Sequence, residues 1–153
     1  MMKELRYDFY IGATPDKVWE HLISPAYTKQ IYYGSVIRSS FKVGELLEYI
    51  GPGADGDNTL HVYGEILEFS PQKALRFTHQ VGPSYLKGGD NYKSRISWLL
   101  EPVGGSTKLT LIHDNWDLDD PSYAGSDTAW PQIMSNTKTL IETGKTLDLG
   151  SWQ

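Results

Sequence analysis

The sequence predicts an α+β domain: a curved antiparallel sheet of about seven strands around one long C-terminal helix, with two short helices after the first strand. Three observations carry this. From Leu5 to His113 apolar and polar residues alternate in short runs, the period-2 signature of half-buried strands. Turns rich in Gly and Pro separate the runs, and such short connections pair strands antiparallel, because parallel neighbours need a long crossover. Over Pro131–Gly144 the pattern changes to an apolar face at helical spacing. A sheet with one apolar helix laid across it is a layered α+β arrangement.

In the first strand Leu5, Tyr7, Phe9 and Ile11 alternate with Arg6, Asp8 and Tyr10. Thr14 then suits a helix N-cap and Pro15 the first helical position, where a missing N–H costs nothing. Val18, Trp19, Leu22 and Ile23 form the apolar stripe of that helix, and Ser24-Pro25 ends it. A second short helix falls around Tyr27–Tyr33. Six further strands are expected at 36–41, 45–50, 60–69, 74–81, 92–101 and 108–113. Turn chemistry bounds them at Lys42-Val43-Gly44, Gly51-Pro52-Gly53, Ser70-Pro71-Gln72-Lys73, Gly82-Pro83 and Pro102-Val103-Gly104-Gly105. The acidic stretch 115–125 reads as a solvated loop. In the final helix Ile133, Met134, Thr137, Leu140 and Ile141 mark one face, Gly144 is placed to stop it, and Pro131 either opens it or kinks a longer one.

A length of 153 residues predicts one domain over 1–153, large enough to bury a core without staples. Cysteine is absent, which excludes disulfides, thiolate metal sites and a thiol nucleophile, and suits a cytoplasmic protein. With 14 basic and 19 acidic residues the net charge is −5, which argues against a nucleic-acid binder. No apolar run approaches the roughly 20 residues that span a bilayer, so no membrane partner is expected. The 5 Trp, 10 Tyr and 4 Phe exceed what a small core needs, and point to an aromatic-lined pocket.

Four segments carry a family resemblance. Residues Ala13-Thr14-Pro15-Asp16-Lys17-Val18-Trp19 with Ser24-Pro25 resemble the opening helix of the START-like (SRPBCC) helix-grip superfamily. The stretch from Gly64 through Phe69-Ser70-Pro71 to Leu75 resembles that family's central hairpin. Gly105-Ser106-Thr107-Lys108-Leu109-Thr110-Leu111 resembles its GT-x-L-x-L strand. Trp130-Pro131 and Leu140-Ile141-Glu142-Thr143-Gly144 resemble the closing helix of the bacterial branch related to the heat-shock-protein-90 ATPase activator. The resemblance implies a helix-grip fold with an internal cavity for apolar or amphipathic molecules. It implies no single activity, since fold alone does not define function. Chaperone regulation is not implied, because the eukaryotic activator's asparagine- and tryptophan-rich motif is absent.

Motifs with other chemistry fail on context. Gly51-Pro52-Gly53-Ala54-Asp55-Gly56 matches G-x-G-x-x-G, but a strand-like run follows where a phosphate site needs a helix N-terminus, so it reads as a hairpin turn. A calcium loop starting at Asp114 would need glycine sixth and glutamate twelfth, where Asp119 and Gly125 stand. Histidines 21, 61, 79 and 113 show no metal-site spacing, and no G-x-S-x-G elbow exists. Neither a metal, a cofactor nor a catalytic residue is assigned.

By period 2, His79 shares a strand face with Leu75 and Phe77, and His113 with Leu109 and Leu111. If that face is concave, both imidazoles look into the cavity. The candidate ligand-binding set is Tyr32, Tyr49, Tyr63, Phe77, His79, Tyr92, Trp98, His113, Trp130 and Met134, with His79, His113, Tyr63 and Tyr92 as polar handles. The expected function is binding of a small apolar or aromatic molecule by a monomer or weak homodimer. The alternative is a cyclase- or hydrolase-type enzyme using His79 or His113 as general acid or base. A third reading, an interaction module, would show a closed cavity and an exposed apolar patch.

Overall fold

The computed structural model describes residues 2–53, 56, 58–85 and 91–150. In chain order the elements are β1 (Leu5–Ile11), α1 (Pro15–Ile23), α2 (Pro25–Ile31), β2 (Val36–Ser39), β3 (Leu46–Pro52), β4 (Asn58–Ser70), β5 (Ala74–Val81), β6 (Ser94–Val103), β7 (Ser106–Asp114) and α3 (Tyr123–Thr143). The strands form one antiparallel sheet in the order β1-β7-β6-β5-β4-β3-β2. This is the expected α+β helix-grip arrangement. Register shifts at Tyr49/Ile50 and at Ile66/Glu68 bend the sheet, as bulges do. Beside the second bend, Gly64 brings β4 so close to β5 that a Cβ there would lie 1.7 Å from the Thr78 carbonyl oxygen.

Several boundaries move for local reasons. The strand expected to reach Phe41 ends at Ser39, because Phe41 takes φ 58° with its N–H donating to Ser39 Oγ. The second short helix occupies Pro25–Ile31 and stops before Tyr33, which adopts φ 54°. β6 begins at Ser94, not at Tyr92. Of the hairpin turn expected over Gly51–Gly56, Ala54 and Asp55 lie outside the described residues.

The largest correction concerns α3, which begins at Tyr123, eight residues before Pro131. Asp120 prepares its start, Oδ1 accepting from both the N–H and the hydroxyl of Ser122. Pro131 therefore lies inside the helix and cannot donate to the Asp127 carbonyl. The Tyr7 hydroxyl sits 3.4 Å from that carbonyl and donates to the Asp127 carboxylate, so β1 answers the gap. Gly144, at φ 80°, caps the far end with its N–H on the Leu140 carbonyl. Two polar ties hold the last turns to the sheet edge: Lys138 Nζ donates to Tyr10 O at 2.8 Å, and Gly12 N–H to Glu142 Oε2 at 2.6 Å. Met134, Leu140 and Ile141 are buried in the core, as their spacing predicts, together with Val18, Trp19 and Leu22 of α1.

The stretch 115–122 is less solvated than its composition suggests. Trp116 and Asp120 are buried, and Trp116 Nε1 donates to the His113 carbonyl at 2.9 Å.

Candidate functional site

Between the concave face of the sheet and the first turns of α3 lies a cavity of about 800 Å³. Tyr49, Val62, Phe77, His79 and Ile96 form its sheet wall. Gly125, Ala129, Trp130 and Ile133 of α3 form the wall opposite. Tyr32, Tyr33, His61, Tyr85 and Leu149 add to the lining, and Ser35, Ser122, Ser126, Thr128 and Gln132 bring polar side chains to it. No Asp, Glu, Lys or Arg lines it among the described residues. The volume and the apolar walls are those of a small-molecule site.

Of the residues singled out in the sequence, Tyr32, Tyr49, Phe77, His79 and Trp130 line this space. Tyr63 does not, because strand parity decides it. Val62 faces inward, so Tyr63, paired with Gln80, faces away, and its hydroxyl accepts from Asn91 Nδ2 at 3.1 Å. Tyr92 precedes β6, is half-buried and is not in the lining. Trp98 is core, its ring edge-on to Trp130 at 5.7 Å, and Met134 is fully buried. His113 lies one layer behind the wall, wholly buried.

A polar thread nonetheless connects His113 to the cavity. Trp130 Nε1 is 2.9 Å from His113 Nδ1, His113 Nε2 is 2.7 Å from Ser94 Oγ, and Ser94 Oγ is 3.4 Å from His79 Nδ1. Sheet register builds the thread, since Ser94 is the cross-strand partner of His79 and Ile96 that of His113. Trp116 stacks on the other side of His113, with ring centroids 3.9 Å apart. Burial in this aromatic box pushes His113 down to about 2, helped by the neighbouring His79. Burial also pushes His79 down to about 4, against the opposing pull of the Asp120 charge and of its own carbonyl. Both imidazoles are thus neutral at neutral pH. On the cavity wall the Tyr32 and Tyr49 rings lie 5.0 Å apart, and burial raises both phenols well above their usual value.

Ser94, Trp116, Val62, Ala129 and Asp120 are not among the residues that the sequence singles out. Only Ser94 carries a signal there, the parity it shares with Ile96 and Trp98. Trp116 and Asp120 were hidden by acidic neighbours that resemble a solvated loop. Among the described residues no three His, Cys, Asp or Glu side chains converge into a metal-ligand set.

A curved antiparallel sheet holding one C-terminal helix, with a largely apolar chamber between them, defines a START-like helix-grip protein. Within that class the chain belongs to the Activator of Hsp90 ATPase homolog 1-like family, whose model matches residues 12–142. Solved structures agree on the fold. A protein from Mesorhizobium loti matches with TM-score 0.74 at 20% identity, covering 94% of this chain and 99% of that one. The Aha1 dimer from Colwellia psychrerythraea matches with TM-score 0.70 at 23% identity, covering 94% and 99%. A protein from Arthrobacter aurescens matches with TM-score 0.76 at 14% identity, covering 98% and 92%. No curated protein matches the chain. No helix among the described residues is long and apolar enough to cross a membrane.

Proposed function

We propose that the protein binds a small apolar or aromatic molecule in the cavity between sheet and α3. The observation that carries this reading is the chamber itself: about 800 Å³, walled mainly by aromatic and aliphatic side chains, with the buried His79 imidazole among its polar groups. Apolar walls drive entry and a few fixed polar groups set orientation. Binding of apolar ligands is common in the family, which supports the same reading. A general base at neutral pH needs a pKa near 7, and His79 is held at about 4, so ligand positioning suits it better than proton transfer.

We place this activity in the cytoplasm, in a monomer or weak homodimer. The Colwellia relative, a dimer in solution, makes the oligomeric state worth measuring by sedimentation.

Native mass spectrometry of freshly purified protein tests the function. A co-purified small molecule should be carried by the wild type and lost from Ala129→Trp, which fills the chamber from the helix side. A molecule retained equally by both would place binding elsewhere.

A further inference from the structure

We propose that the cavity selects uncharged ring molecules bearing a hydrogen-bond acceptor, and that a one-way relay starting at Trp130 sets this polarity. The proposal rests on the binding reading above and names the ligand class of that site.

The argument begins with a group that has no choice. An indole N–H can only donate, so Nδ1 of His113, 2.9 Å away, must present a lone pair. His113 is wholly buried and neutral, so its single ring proton sits on Nε2 and is donated to Ser94 Oγ at 2.7 Å. Ser94 has one hydrogen of its own, and among the described residues the partners of its oxygen are the two imidazoles. That hydrogen therefore goes to His79 Nδ1, along the longer 3.4 Å link, in place of the bond that a protonated ring would give its own carbonyl. The reverse arrangement, with both imidazoles donating to Ser94, would strand a buried hydroxyl hydrogen at a cost of about 1–3 kcal/mol.

With Nδ1 of His79 accepting, its proton is on Nε2. No described residue partners this nitrogen, yet no buried side-chain nitrogen or oxygen among the described residues lacks a partner. Nε2–H is therefore open to the chamber that His79 lines, although the residue is only 9% exposed. It offers a directed donor between Phe77 and Val81, the apolar neighbours on its strand face. A carbonyl or ether oxygen, or a bare ring nitrogen, satisfies it. A carboxylate would meet no cation in the lining and would feel the Asp120 charge that acts on His79.

Two measurements test this. Long-range ¹H–¹⁵N imidazole spectra of the ligand-free protein at pH 7 should show His79 and His113 both as Nε2–H tautomers. Trp130→Phe should release the bias and give His79 a mixture. An Nδ1–H or doubly protonated His79 in the wild type overturns the relay, and this reading needs no variant to fold.

The second measurement is calorimetric titration with 2-acetylnaphthalene, 2-isopropylnaphthalene and 2-naphthoate. The ketone-to-hydrocarbon affinity ratio should fall about tenfold from wild type to His79→Phe, the weight of one hydrogen bond. Taking the ratio cancels the difference in transfer from water. An unchanged ratio overturns the acceptor class while leaving cavity binding intact, and naphthoate binding as tightly as the ketone overturns the preference for uncharged ligands. Failure of all three to bind the wild type overturns the cavity reading and the ligand class with it.

Discussion

The Trp130 indole donates to Nδ1 of His113 at 2.9 Å, a bond that pins the gripped helix to β7 beneath the cavity floor. Both residues are buried, so neither end has water as a substitute. The tie falls directly before Pro131, where the helix has lost one of its own backbone bonds.

Trp130→Phe should therefore destabilise the fold by about 2 kcal/mol, leaving a buried acceptor unpaired and a smaller ring in the indole's place. Urea denaturation monitored by circular dichroism measures this. A midpoint within error of wild type would mean that the indole bond contributes nothing net.

Stability should fall as pH drops below about 6.5. Both histidines are held in the fold below the ordinary imidazole value of 6.5, so the unfolded chain binds more protons in this range. The contribution is fully present above 6.5; the share of His79 is lost down to about 4, and that of His113 continues to about 2. For His79 the loss is of the order of a few kcal/mol. Hydrogen bonds from Thr110, Arg76 and Lys138 hold the Asp8, Glu68 and Glu142 carboxylates below their usual values, so their losses fall in the more acidic carboxylate range. Denaturation at pH 7.5, 6 and 5 isolates the histidines, and His79→Phe should flatten the slope.

Gly64→Ala should cost about 3 kcal/mol or more, because the new methyl group meets backbone oxygen that cannot move without parting β4 from β5. Gly105→Ala is the control, since a Cβ there has nothing within 4 Å. Equal thermal midpoints for the two variants would contradict the close approach.

These features differ in how far they could be read from residues alone. Thr14-Pro15 at one helix start, Gly144 at another's end, and alternation along β1 and β5 are local chemistry, and local chemistry is written in order along the chain. The first turns of α3 carry no such signal, for a structural reason. Ser122, Gly125, Ser126 and Ala129 line the cavity, and the small side chains that leave it open also remove the apolar period that announces a helix. Tyr63 shows the opposite limit: an aromatic residue in a strand is conspicuous, but one step of parity decides between wall and exterior. His113 was visible as a cavity candidate, whereas its place behind Ser94 and Trp130 required the register of three strands and a helix.

Ring-compound binding in wild type and in Ala129→Trp tests the central claim most directly. Calorimetry with 2-acetylnaphthalene should give a micromolar dissociation constant for the wild type, about −8 kcal/mol, a value attainable by a buried ligand of this size. Ala129→Trp, its fold checked by circular dichroism, should show no binding because the added indole occupies the chamber. Equal affinity in the two proteins, or no binding to either, would contradict the account.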